Sequence, residues 1–311
     1  MEKIYFVFFN FLSNFFRLLP NWLRKLCSHI LAWLMILFGH ERNQVLAQNL
    51  EICIKGLNKH QKILTINFQS KYQITYYHAI VLLDYLSAFS MSEAELKNTV
   101  EVVGSENLQK GSLIFFPHFI GLSVGSWITT RIFKTSLIYS PPKQKVLAKW
   151  LVSKYCELIP NRTYKKNDSI IPLARLIKKG QLIQLSTDLD VGDRDTLLSS
   201  FFEIPAFTSK ALPFFIDKYS PNLVGAVCTY IGDQSDRFRY KLHFEPIDLD
   251  LTDIKKLKLP REHYLHEIQK KLNIWLEDQI RQHPMQYWWF HKRFKTAKAK
   301  GLLENYKKKL K

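Results

Sequence analysis

The sequence predicts an α/β fold, a sheet flanked by helices, behind an N-terminal hydrophobic helical segment that anchors to a membrane. Three observations carry that prediction. After Gly111, short continuous apolar runs such as Leu113-Ile114-Phe115-Phe116 alternate with helical stretches, the pattern of strands buried on both faces of a helix-covered sheet. Residues 41–90 contain no Pro and repeat apolar residues at helical spacing, as in Val45, Leu46, Leu50 and Ile54. Two strongly apolar runs, residues 4–19 and 27–38, open the chain.

The first run, IYFVFFNFLSNFFRLL, spans sixteen residues and is interrupted by Asn10, Ser13, Asn14 and Arg17. That is short of the roughly 20 residues a spanning helix needs. No small-residue cleavage site follows it, so a removed signal peptide is not expected. Residues 1–40 are therefore read as membrane-associated helices, either inserted or lying in the interface. Packing of both runs inside the core is the plainer alternative. Arg17, Arg24 and Lys25 fall on the cytoplasmic side under the positive-inside rule.

Residues 41–311 are read as one α/β domain, with a helical lead-in to about residue 100 and a basic C-terminal tail. Ser92-Glu93-Ala94-Glu95 has the form of a capping box and starts a helix. Leu113 to Phe116 forms a strand that ends at Pro117-His118, and a helix follows over 121–133. A strand at 136–139, a turn at Pro141-Pro142 and helices over 145–157 and 170–179 come next, with Gly180 placed to cap the last of these. Strands at 182–185 and 222–230 are apolar, whereas 238–244 (FRYKLHF) alternates and reads as half exposed. Pro260 opens a long helix to about Gln282, with Leu265, Ile268, Leu272 and Trp275 on one stripe.

Lys and Arg total 45 against 27 Asp and Glu, a formal net charge of +18. Such a surplus favours anionic partners. Residues 292–311 hold nine Lys/Arg against one acid, Glu304. Together with the apolar N-terminus this points to a membrane surface rather than nucleic acid, although a solvated tail has the same composition. The four Cys (Cys27, Cys53, Cys156 and Cys228) are scattered without any CxxC, which argues against a zinc site or a disulfide scaffold. The sequence lacks GxSxG, P-loop, GxGxxG and HExxH motifs, which weighs against the enzymes built on them. No metal or cofactor is expected.

Three stretches are candidates for chemistry. His118 follows a buried strand and precedes a helix, at the carboxyl end where α/β sheets build their sites. A neutral imidazole there suits a general base, and a packed histidine fits the same position. Asp188, Asp190, Asp193 and Asp195 follow the third predicted strand in TDLDVGDRD. The spacing lacks the Gly and Glu of an EF-hand calcium loop. It reads as a polar turn or as a ligand cluster, and Asp188 or Asp190 could orient His118. The stretch 285–295, MQYWWFHKRFK, fits a lipid headgroup interface or a stacking platform for single strands. A core segment with a basic exit is the third option.

PHFIGL, TDLDVGDRD with FFEIPAFTSKAL behind it, and PMQYWWFHKRFKT resemble the late acyltransferases of lipid A biosynthesis, within the wider lysophospholipid acyltransferase superfamily. YSPPK and the N-terminal hydrophobic run followed by RNQVLAQNL match in order and separation, so the likeness covers nearly the whole chain. The resemblance implies an acyltransferase-like fold and a membrane-bound, acyl-carrier-protein-dependent O-acyltransferase. Its acceptor would be the hydroxyl of a lipid A precursor, a glycolipid, at the cytoplasmic face of the inner membrane. It implies His118 as base and Lys292, Arg293 and Lys295 as phosphate contacts. The family signature places Asp or Glu five positions after the histidine, where this chain has Ser123. The arginines that members often carry in a Y-R-P stretch and in a GRxR-like stretch are replaced by Tyr139-Ser140-Pro141 and Lys154-Tyr155-Cys156-Glu157. Ser123 can still accept an imidazole hydrogen bond without supplying charge. The departures leave a slow enzyme, an enzyme with Asp188 or Asp190 as a relocated acid, or a lapsed paralogue that binds lipid or carrier protein, and the missing arginines point to an altered acceptor, such as another lipid, or an altered donor.

Overall fold

The computed structural model describes residues 2–139, 142, 144–159, 163–165, 171–192, 194–233, 239–251 and 260–304. Four helices lead: α1 (Glu2–Leu18), α2 (Asn21–Phe38), α3 (His40–Leu57) and α4 (Phe68–Ala88). The predicted helical lead-in is thus split at 58–67. Asn58 and Asn67 account for the break. The Asn58 side chain accepts from the Ile63 and Leu64 amides, and Asn67 caps α4 in a capping box with Ser70. The capping box expected at Ser92 is present, with Ser92 and Glu95 bonded reciprocally at the start of α5 (Glu93–Thr99).

The remaining elements are β1 (Val100–Val103), β2 (Leu113–Phe115), α6 (Leu122–Phe133), β3 (Ser136–Tyr139), α7 (Lys145–Leu158), β4 (Thr163–Lys165), α8 (Ile171–Lys178) and β5 (Ile183–Leu185). They continue with β6 (Thr196–Phe201), β7 (Ile204–Ser209), α9 (Ala211–Tyr219), β8 (Leu223–Tyr230), β9 (Tyr240–Pro246), α10 (Arg261–Gln282) and α11 (Lys295–Ala299). A seven-stranded sheet runs β1-β9-β8-β2-β5-β3-β4, and β6 and β7 form a separate hairpin. Neighbours from β8 to β4 are parallel, whereas β9 runs antiparallel to β8 and pairs parallel with β1. This is the helix-flanked α/β sheet that the apolar runs predicted.

Strand alternation sorts the core into two layers. Leu113 and Phe115 of β2, with Leu223 and Val227 of β8, join the cluster containing α3, α9, α10 and the hairpin. Ile114, Phe116, Val224, Ala226 and Cys228 join the opposite cluster, containing α4, α6 and α7. Because both faces are covered, every residue of β2, β5 and β8 is buried. The N-terminal helices α1 and α2 pack on α4. No single helix among the described residues is long and apolar enough to cross a membrane.

Candidate active site

β2 and β5 are parallel neighbours with Phe115 paired to Leu185. Counting three residues beyond each strand end reaches His118 on one and Asp188 on the other. Register alone therefore brings the two loops together at the carboxyl edge of the sheet. The loops are stitched where the Phe116 amide donates to the Leu185 carbonyl and the Ser186 hydroxyl donates to the Phe116 carbonyl.

The structure selects Asp188 as the acid beside His118. His118 Nδ1 lies 2.7 Å from Asp188 Oδ1, and the His118 amide donates to Oδ2 at 3.0 Å. The Tyr287 hydroxyl donates to the same Oδ2 at 3.1 Å. The Asp188 side chain is fully enclosed, whereas His118 remains 22% exposed. Burial by itself would raise the Asp188 carboxyl, but the charge and hydrogen bonds of His118 outweigh it and hold the group below the usual carboxylate range. An ionised Asp188 can only accept, so His118 Nδ1 carries the proton and Nε2 is left as the basic nitrogen. Nε2 has no protein hydrogen bond among the described residues.

A strap from the C-terminal motif fixes this pair. The Ile120 amide donates to the Gln286 carbonyl, Phe119 bridges Tyr287 and the Trp288 amide donates to the His118 carbonyl. Asn49 of α3 holds the strap from behind, its side-chain amide donating to the carbonyls of Trp289 and His291 at 2.7 and 2.6 Å. Arg42 donates to the Phe290 carbonyl. The RNQVLAQNL stretch thus supports the site from 240 residues away in sequence. On the opposite side, α6 approaches β8 closely because Gly121 and Gly125 face Cys228; a Cβ at either would come within 2.6 Å of it.

Asp190 does not reach His118. Its Oδ1 accepts from the Thr296 hydroxyl (2.7 Å) and the Gly192 amide, its Oδ2 accepts from the Thr296 amide, and its carbonyl accepts from His291 Nε2. It holds the end of the strap. Asp190→Ala should cost about 1–3 kcal/mol through the stranded Thr296 donors, read as a lowered denaturation midpoint with the far-UV spectrum unchanged.

The other expected residues divide. Ser123 sits in the first turn of α6 and makes no hydrogen bond to His118. Arg293 turns inward. Its guanidinium is buried over the Phe201 ring, where it donates to the Phe207 carbonyl and the Thr208 hydroxyl of β7. In this position it ties the strap to the hairpin. Lys292 is exposed and pairs with Glu41 at 2.6 Å, and Lys295 is exposed. Asp195 pairs with Lys210, while Asp193, Ser140, Pro141 and the tail 305–311 lie outside the described residues. On α7, Lys154 pairs with Glu157. Of the three options for the aromatic stretch, its core placement is the observed one, with Tyr287, Trp289, Phe290 and Phe294 all buried.

Tyr287 was not singled out by sequence reasoning, although it lay within the quoted motif. Burial and the Asp188 charge push its hydroxyl far above the usual range, so it remains a donor. His291 was missed likewise; burial lowers its ring pKa.

The family model for bacterial lipid A biosynthesis acyltransferases matches residues 2–296. The lipid A biosynthesis palmitoleoyltransferase of Escherichia coli (strain K12) is 20% identical over 267 residues, covering 83% of this chain and 80% of that protein. The lipid A biosynthesis acyltransferase of Haemophilus influenzae is 22% identical over 286 residues, covering 89% and 86%. A match of that extent, on a chain whose quoted motifs converge on one site, places this protein in the bacterial lipid A biosynthesis acyltransferase family.

Proposed function

We propose that the protein transfers a fatty acyl chain from an acyl-carrier-protein thioester to a hydroxyl of a lipid A precursor, at the cytoplasmic face of the inner membrane. The observation that carries this reading is the His118–Asp188 pair, held so that Nε2 is left as a base without a protein partner. Nε2 takes the proton of the acceptor hydroxyl as its oxygen attacks the thioester carbonyl. The carbon–sulfur bond then breaks, and the imidazolium returns the proton to the leaving thiolate. Asp188 stabilises the transient imidazolium and keeps the ring in the required tautomer. Exposed Lys295 and Lys292 are assigned to the acceptor's phosphates, Lys292 exchanging Glu41 for its ligand. The reading as a lapsed binding paralogue starts from Ser123; the Asp188 contact supports the active reading over it.

The test supplies purified protein in detergent with acyl-carrier-protein thioesters of differing chain length and a lipid A precursor bearing a free hydroxyl. The expected product is the precursor heavier by one ester-linked chain. Product only on a lysophospholipid would move the acceptor to another lipid. Silence on every acceptor would return the lapsed reading.

A further inference from the structure

A second imidazole stands at the site and the mechanism above leaves it idle. His291 Nε2 lies 3.1 Å from the Asp190 carbonyl, and His118 is paired to Asp188, two residues earlier on the same loop. Two residues of chain span at most about 7 Å, so the loop after β5 anchors both rings at one edge of the sheet. The charge of His118 reaches His291. The anchors of His291 are themselves fixed. Its carbonyl accepts from the Asn49 side-chain amide at 2.6 Å and from the Arg293 amide at 2.7 Å, and both carboxylate oxygens of Asp190 are held by Thr296. Along the strap Tyr287, Trp289, Phe290, Arg293 and Phe294 are buried, whereas His291 is half-buried.

The hydrogen-bond chemistry of the ring follows from these contacts. Burial lowers its pKa; the Asp190 carbonyl and the Asp188 charge oppose that, and His118 and Arg293 reinforce it. A neutral imidazole has one donor nitrogen and one acceptor. A carbonyl only accepts, so Nε2 carries the hydrogen and Nδ1 is the acceptor. Nδ1 has no protein hydrogen bond among the described residues.

We propose that His291 Nδ1 accepts a hydrogen bond from a neutral donor on the acceptor's headgroup, a sugar hydroxyl or an amide N–H, and so orients the acceptor beside His118 Nε2. Placement favours the acceptor over the thioester. His291 directly precedes Lys292, and Lys295 follows on the same strap; both are exposed and assigned above to the acceptor's phosphates. The lysines would read charge and the ring would read the neutral polar groups. A neutral ring also suits the chemistry, since a fixed cation here would oppose the imidazolium that forms on His118. This inference deepens the proposed function and rests on its acceptor.

Asparagine and glutamine each keep one half of the imidazole. The Asn side-chain oxygen falls near the position of Nδ1, and the Gln side-chain amide near that of Nε2. His291→Gln therefore keeps a donor to Asp190 and loses the acceptor, while His291→Asn does the reverse. Both are made in the His118→Ala protein, so binding is read without turnover. A lipid A precursor is titrated into protein in detergent micelles by tryptophan fluorescence, and thermal midpoints are read on the same samples. His291→Gln should bind the precursor about three- to tenfold more weakly, as for one lost hydrogen bond, at an unchanged midpoint. His291→Asn should bind within about twofold of the parent and melt lower, because the Asp190 carbonyl loses its donor. Affinity for the acyl-carrier-protein thioester should change in neither.

The opposite order, with His291→Asn the weaker binder, would mark a purely structural histidine and overturn the proposal. So would a His291→Gln protein that binds like the parent, one whose midpoint falls with its affinity, or one whose loss is for the thioester. A parent that binds no precursor would overturn the proposed function and this inference together, an outcome distinct from the others.

Discussion

Asp188→Asn should lower turnover by about 10³–10⁴-fold with a far smaller change in KM, and His118→Ala should abolish product. In serine proteases the equivalent amide replacement costs roughly 10⁴ through the wrong imidazole tautomer, and this site gives the same outcome for a visible reason. Asp188 offers two acceptor oxygens, one to His118 Nδ1 and the other to the His118 amide and the Tyr287 hydroxyl. An asparagine has only one acceptor oxygen. The two donors that converge on Oδ2 claim it, so the amide NH₂ faces Nδ1. The ring must then carry its proton on Nε2, where no base remains. Ser123→Ala should stay within a few-fold of wild type, because Ser123 makes no bond to the histidine. Equal losses in the two variants would return the motif position to the site. Stability provides a second readout. The folded Asp188 carboxyl titrates below its ordinary value, so it stabilises the fold above about pH 4 and loses that contribution as pH falls through the depressed folded value. The stability gap between wild type and Asp188→Asn should therefore be widest near neutrality and narrow on acidification, measured as denaturant midpoints.

The choice between Asp188 and Asp190 shows where sequence reading stops. Continuous apolar runs located β2, β5 and β8, but the sheet order places β5 beside β2 although two strands intervene in the chain. Without that adjacency, no spacing distinguishes an acid that meets His118 from one two residues later that clamps Thr296. The hairpin β6–β7 escaped for another reason. Its turn is Phe202-Glu203, both with left-handed φ of 50° and 66°, where Gly or Asn would have signalled the reversal. Tertiary contacts hold this turn: Phe202 is buried, its amide donates to Glu277 and its ring lies under Arg281. Charge predicts exposure for Arg293, whereas a guanidinium given a carbonyl, a hydroxyl and an aromatic face can be held inside, here with its Nε unpaired. Motif composition identified the strap as important; only packing shows that its aromatic residues position His118 instead of meeting lipid.

Arg24→Ala should destabilise the protein by about 3 kcal/mol, and Asp84→Ala by about 3–5 kcal/mol. The two side chains are 2% and 1% exposed, so removing either leaves the other without its main counter-charge in a low-dielectric setting. The costs differ because the survivors do. Asp84 freed from Arg24 still has Arg239 at 3.3 Å and the Tyr240 hydroxyl at 2.7 Å. Arg24 freed from Asp84 keeps only the carbonyls of Phe16 and Leu19, which supply no negative charge. A shape-conserving pair, Arg24→Met with Asp84→Leu, should recover much of the loss, since an apolar pair avoids desolvating two ions. Thermal unfolding in detergent reads all three proteins. Full stability in Arg24→Ala would mean that α2 is not held through this pair. The same ion pair explains why the leading helices cannot be treated as a detachable anchor. Asp84 sits on α4, Arg239 and Tyr240 lie at the start of β9, and Arg24 reaches them from α2. A charge cluster that joins the apolar outer helix to the sheet binds the N-terminal helices into the α/β core, and loosening it should expose the junction between α1 and α2 to limited proteolysis before the sheet unfolds.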